Sequence, residues 1–130
     1  MIPIFLTLDE VVEIHRYMIE RYGGSSGIRD LALLESALAM PQSGFGEEYF
    51  HVTPFDKAAA YLFHIVQNHP FVDGNKRVGA MTAFVFLRLN GFTLNAGESE
   101  FERIVRQVAQ GEMRKAKIAE FLEKNSKKHR

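Results

Sequence analysis

His69-Pro70-Phe71-Val72-Asp73-Gly74-Asn75-Lys76-Arg77 sets a proton acceptor, a carboxylate, a glycine, an amide and two cations at the head of the most apolar stretch of the chain. A helix that begins near Asn75 turns its unpaired N–H groups and the positive end of its dipole toward the preceding loop, and both favour an anion there. A purely structural helix start would place acids in this turn. An amide and two cations fit an anionic ligand instead, and phosphate suits such a terminus. Arg77 can hold phosphate oxygens in pairs, while Lys76 supplies a mobile point charge. Gly74 removes the Cβ where the main chain must approach a phosphate or adopt positive φ. Asp73 is suited to Mg²⁺ held jointly by protein and nucleotide oxygens. His69, at the end of the preceding helix, can take the proton of an attacking hydroxyl. Phe71 is the apolar anchor that pins the loop to the core. Singly, these are an ordinary helix-end histidine, turn residues and solvated charges; their combination at one helix start points to nucleotide phosphates.

The elements that position this segment read as nearly all helical. Thr7 with Glu10 forms a capping box that opens a helix with Leu8, Val11, Val12, His15, Met18 and Ile19 on one stripe, stopping at Gly23-Gly24. A short helix from about Asp30 turns Leu31, Leu34, Ala37 and Leu38 inward and ends at Pro41. Residues 42–52 break the period and read as a loop or a short hairpin. Thr53-Pro54 starts a helix that must end near Asn68-His69, because the residue before Pro70 is pushed out of the helical region. The helix from about Asn75 to Leu89 is apolar almost all round and so belongs at the centre. Phe92-Thr93-Leu94 is extended but too short to make a sheet alone. Ser99 with Glu102 reads as a second capping box opening a helix to about Gln110, and a last helix runs from about Met113 toward Lys124. The expected fold is all-α: a single domain over 1–130, six helices around the central apolar helix at about 75–89, with a short flap loop or hairpin.

The totals set bounds. A chain of 130 residues fits one domain, burying roughly two-thirds of the surface that its unfolded form exposes. With 11 Phe and no Trp the core should be phenylalanine-rich. The absence of Cys excludes disulfides and thiolate metal sites and makes an intracellular, cytoplasmic location the default. The opening MIPIFLTLDE reads as neither signal peptide nor membrane span. A net charge of zero draws the chain to neither nucleic acid nor membrane. From Glu112 to Arg130 seven Lys and Arg stand against three acids, which reads as a frayed, solvated C-terminus, with a weak anionic contact as the alternative.

The nine residues from His69 to Arg77 resemble the signature of the Fic/Doc superfamily, H-x-F-x-D/E-G/A-N-x-R, and most closely its death-on-curing (Doc) branch. The resemblance extends to Arg21-Tyr22-Gly23-Gly24, to Gly27-Ile28-Arg29-Asp30, to Leu33-Leu34-Glu35-Ser36-Ala37-Leu38 and to Phe86-Leu87-Arg88-Leu89-Asn90-Gly91. It implies the six-helix fold of that family. It also implies His69 as general base, Asp73 as the Mg²⁺ residue, Asn75, Lys76 and Arg77 as phosphate holders beside Gly74, Phe71 as loop anchor, and residues around 42–52 as the flap that aligns a target peptide.

Two departures from the wider superfamily bear on the reaction. Adenylyl-transferring relatives usually carry Gly where this chain has Lys76, and a second Arg where it has Ala80. Both differences resemble the death-on-curing branch, whose type member passes the γ-phosphate of ATP to a threonine of the elongation factor that delivers aminoacyl-tRNA. The resemblance therefore implies a toxin using ATP and Mg²⁺, with a translation factor as target. The self-inhibitory pattern S/T-x-x-x-E-G/N is not matched, since Ser43 and Glu47 are followed by Glu48; this implies restraint by a cognate antitoxin protein. Adenylyl transfer to Ser, Thr or Tyr, and a non-catalytic nucleotide-binding partner of an antitoxin, are the alternatives. A metal hydrolase built on His64, His69 and Asp73 is disfavoured, because a spacing of five does not align two histidines on one helix face. His15, His51 and His129 have no partner that the sequence names.

Overall fold

Two threonines begin the helices that carry the site. Thr7 Oγ1 accepts from the Glu10 N–H at 3.2 Å while Glu10 Oε1 accepts from the Thr7 N–H at 2.8 Å. Thr53 and Asp56 make the same reciprocal pair at 3.0 and 3.1 Å, with Pro54 in the first helical position. The computed structural model describes residues 2–129. Six helices follow in order: α1 (Leu8–Tyr22), α2 (Leu31–Ala39), α3 (Pro54–Asn68), α4 (Asn75–Leu89), α5 (Glu98–Ala109) and α6 (Lys115–Lys124). Among the described residues strand pairs are limited to two short antiparallel ones, β1 (Gly44–Phe45) with β2 (Glu48–Tyr49) and β3 (Phe92–Leu94) with β4 (Ser126–Lys128). The fold is mostly α, with a flap hairpin where a loop or hairpin was expected.

The centre is shared by two helices rather than held by α4 alone. α3 packs against α2, α4, α5 and α6 and buries Phe55, Tyr61, Leu62, Ile65 and Val66. Its run Ala58-Ala59-Ala60 is fully buried, and these small side chains let neighbours approach closely. Gly79 of α4 serves the same end: a Cβ there would lie 2.8 Å from Val66 Cγ2 and 3.3 Å from the Leu62 carbonyl oxygen. Phe84 and Val85 of α4 are only partly covered, and Leu89 is 41% exposed. The N-terminal segment is tied to α3 by the Leu6 N–H, which donates to the Tyr61 hydroxyl at 3.0 Å. Burial pushes that phenol up to about 12, so it stays protonated.

Several local expectations change. Leu31 is 49% exposed, because it is the first residue of α2 and the inward face begins at Leu34. Pro41 does not stop α2 outright; it is buried in a 3₁₀ turn, Met40–Gln42, that continues the helix. Ser99 does not cap α5. The helix starts two residues earlier than that cap implies, at Glu98, with the Phe101 N–H on the Gly97 carbonyl at 2.9 Å, and Glu98 and Glu100 supply the favourable charge. Met113 lies before α6, which starts at Lys115. The basic end is not frayed, for Ser126–Lys128 pairs with β3 in the register Phe92↔Lys128 to Leu94↔Ser126. Its lysine side chains are solvated while its main chain satisfies the polar groups of β3.

The base of the flap is held by lysines. Lys57 is 3% exposed and donates from Nζ to the carbonyls of His51 and Val52, both at 2.8 Å. Its ammonium also lies 4.4 Å from the Tyr49 ring centroid. Lys115 Nζ sits 3.0 Å from Nε2 of both His51 and His64. Burial first, then the Lys115 charge, lowers both imidazoles, His64 to about 4.

A neutral His64 in the folded state and an ordinary one, near about 6.5, in the unfolded chain means that the unfolded chain binds more protons between those values. Folding stability should therefore fall as pH drops from about 6.5 toward 4, the depressed value. Denaturant titrations over this range should show a shallower fall for His64→Phe than for the wild type; superimposable slopes would contradict the assignment.

Candidate active site

The loop between α3 and α4 buries its own main chain, and the side chains around it are arranged to permit that. Phe71 is fully buried. Its N–H donates to Asn75 Oδ1 at 2.9 Å and its carbonyl accepts from Asn75 Nδ2 at 3.0 Å. One amide side chain thus replaces both partners that water would have supplied. The Phe71 ring stacks on His15 of α1, centroids 4.0 Å apart and planes within 7°. His15 Nε2 donates to the Asp73 carbonyl at 2.9 Å.

Residues 24–30 run along the other side of the loop. The Val72 N–H donates to the Gly27 carbonyl at 3.0 Å, Ile28 bridges to Phe71, and the N–H groups of Arg29 and Asp30 both donate to the Pro70 carbonyl, at 2.7 and 3.0 Å. Arg29 adds two side-chain bonds, Nε to the His69 carbonyl at 2.7 Å and Nη2 to the Asn68 carbonyl at 3.0 Å. His69 itself caps α3 in the left-handed conformation, φ 50° and ψ 53°, the sole non-glycine with positive φ among the described residues. Such a conformation costs of order 1–3 kcal/mol and persists where its surroundings enforce it.

These constraints bring the expected residues together. His69, Asp73, Gly74, Asn75, Lys76 and Arg77 line one open cleft of about 550 Å³, and Phe71 lies beneath it as the anchor. Gly74 takes the left-handed conformation, φ 78°, immediately before α4 and makes no side-chain cap there, so the first N–H groups of the helix face the cleft side. Asp73 Oδ1 accepts from the Gly74 N–H at 2.8 Å and Oδ2 from the Ser25 N–H at 3.1 Å. Those bonds, Ser25 first, hold its carboxyl below the usual range, with the Arg77 charge acting in the same direction. Gly24 lies beside it at φ 114°, a conformation that favours glycine, and a Cβ there would stand 2.7 Å from Asp73 Oδ2 and displace the carboxylate. Arg77 lies over the Tyr22 ring at 5.3 Å and reaches the Gly23 carbonyl at 3.4 Å.

Asn75 departs from expectation in one respect. Asn75 is 4% exposed and its side chain is committed to Phe71, which leaves only its main-chain N–H for an anion at the helix start. An ionised Asp73 with lone pairs left on both oxygens fits Mg²⁺. No group of three or more His, Cys, Asp or Glu is placed to hold a metal ion among the described residues, so a Mg²⁺ ion at Asp73 would need oxygens from outside the protein to complete its shell. For the same reason His64, His69 and Asp73 do not assemble as a hydrolase centre.

A second, apolar groove of about 640 Å³ adjoins the cleft between α1, α4 and α5. Met18, Met81, Phe84, Phe101 and Val105 line it, and Tyr22, Lys76 and Arg77 border both spaces. His15, Ser25 and Arg29 are the site residues that the sequence did not assign. The one signal for His15 was its place on the buried stripe of α1.

Replacing Asn75 by Ala leaves the Phe71 N–H and carbonyl buried without partners. Unfolding in urea should show a loss of about 2 kcal/mol or more, and an unchanged midpoint would contradict the clasp.

The Fic/DOC family model matches residues 5–87. The chain is 41% identical over 75 residues to "Toxin Doc" of Mycolicibacterium smegmatis, a match spanning 58% of this chain and 58% of that protein's length. It is 30% identical over 115 residues to "Protein kinase doc" of Escherichia phage P1, covering 88% of this chain and 89% of the relative. With its helical fold, its bracing segment at 24–30 and the His69-to-Arg77 loop in the matching region, the chain belongs to the Fic/DOC family, in its death-on-curing branch.

Proposed function

We propose that this protein is the toxin of a toxin–antitoxin pair and transfers the γ-phosphate of ATP to a hydroxyl of a translation factor. The observation that carries this reading is the cleft itself: an imidazole, an ionised carboxylate and the cationic start of α4 share one space. The N–H groups at the start of α4, with Lys76 and Arg77, bind and orient the phosphates. Asp73 would hold Mg²⁺, which when bound would supply charge neutralisation on the transferring group. The acceptor hydroxyl oxygen attacks the γ-phosphorus as His69 takes its proton. The bond from that phosphorus to the β,γ-bridging oxygen breaks, and ADP departs with the electron pair. The products are a phosphate ester, ADP and a protonated imidazole that returns its proton to water.

Lys76 and Ala80 favour phosphoryl over adenylyl transfer: a cation stands where adenylyl-transferring relatives have Gly, and their second Arg is lacking. The names of the two relatives, a toxin and a protein kinase, agree with this reading. The groove beside the cleft fits an antitoxin segment with an apolar face. It opens onto Lys76 and Arg77, so a segment seated there would restrain the site. A cytoplasmic location agrees with the target, and no helix among the described residues is long and apolar enough to cross a membrane.

The test is incubation of the purified chain with Mg²⁺, a translation extract and ATP labelled on the γ- or the α-phosphate. Label from the γ position should appear on one protein band and fall at least about 100-fold with His69→Ala. Label from the α position would replace phosphoryl by adenylyl transfer, and strong residual transfer by His69→Ala would remove His69 from the base role. No label from either position would leave the nucleotide-binding partner as the reading.

A further inference from the structure

Arg29 stands behind the base rather than in the cleft. The last carbonyls of a helix lack partners within it, and a left-handed reversal at its end usually falls to glycine. Here it falls to His69, directly before Pro70, whose ring further narrows the conformations open to it. The His69 N–H is fixed on the Ile65 carbonyl at 3.2 Å. On the other side, the Arg29 guanidinium binds the His69 carbonyl at 2.7 Å and the Asn68 carbonyl at 3.0 Å. The Arg29 and Asp30 N–H groups then hold the Pro70 carbonyl. Three successive carbonyls are thus gripped by two residues of a distant segment.

We propose that Arg29 is a positioning residue for the transfer reaction: its planar fork, binding the carbonyls of Asn68 and His69 together, holds His69 in the left-handed conformation that turns the imidazole into the cleft. This rests on the assignment of His69 as the base. Lys76 and Arg77 are carried by α4, and Arg77 is steadied by Tyr22 and Gly23, so loss of Arg29 slows transfer and spares nucleotide affinity. A residue that merely capped α3 would behave differently, since its removal would lower the melting temperature and leave the turnover of folded protein unchanged. Lysine keeps the charge favoured at a helix C-terminus but lacks the fork.

The experiment compares Arg29→Ala and Arg29→Lys with the wild type in kcat, in KM for ATP and in the His69 amide-to-Hα coupling, which reports φ. Each variant is assayed where circular dichroism shows it folded, and Arg29→Lys carries the test if Arg29→Ala does not fold. Both should lose at least about 10-fold in kcat with KM within about 2-fold, the scale expected of a misplaced catalytic group. The coupling should change, and free guanidinium should restore part of the turnover of Arg29→Ala. Unchanged kcat with the wild-type coupling would overturn the proposal. A wild-type chain that transfers nothing would overturn the assignment of His69 instead. The coupling would then decide alone, a wild-type value in the variants overturning the conformational claim as well.

Discussion

The site depends on the clasp between Asn75 and the main chain of Phe71. A loop that buries its own peptide groups is costly unless every donor and acceptor is satisfied. The Asn75 amide supplies one acceptor and one donor to a single residue. That allows the Phe71 ring to sink fully into the core against His15. With Phe71 fixed, the residues on either side are fixed as well: His69 at the end of α3, and Asp73 and Gly74 at the start of α4. Because Asn75 is itself the first residue of α4, the clasp ties the loop to the helix whose terminus it serves.

Electrostatics then follow from where that helix begins. An N-terminus without a capping side chain and with two cations in its first turn lacks the anion that such an end favours. Asp73 does not fill this role, since main-chain N–H groups of Ser25 and Gly74 already hold its carboxylate. The cleft thus combines a cationic helix start with one ionised carboxylate, a pairing suited to a metal–phosphate ligand. The segment 24–30 is what makes the arrangement rigid. It binds Asp73, Val72, Pro70 and His69 in sequence along one side of the loop.

What was legible in the sequence is what local chemistry decides. The capping box at Thr7, the helix start at Thr53-Pro54, the end of α3 before Pro70 and the start of α4 at Asn75 are set by neighbouring residues, and all stand as expected. The same kind of pattern misleads at Ser99, where the helix begins instead at Glu98, after Gly97, with no side-chain cap. Long-range pairings were not legible. Nothing in Ser126-Lys127-Lys128 marks a strand until Phe92–Leu94 is beside it. His15 was recognisable as an inward position, but its stacking on Phe71 depends on how α1 crosses the loop. Arg29 belonged to a recognisable family pattern, yet its partners are carbonyls, which leave no trace in side-chain identity. The inward turn of Asn75 escaped for the same reason.

The central claim is that the start of α4 is a phosphate site, and mapping amide chemical shifts during titration with ATP and Mg²⁺ tests it most directly. The account predicts that the largest changes fall on the amides of Gly74, Asn75, Lys76 and Arg77, with smaller ones at Ser25, and that adenosine without phosphates leaves them in place. Saturable changes confined to another face of the protein, or none at these four amides, would contradict it.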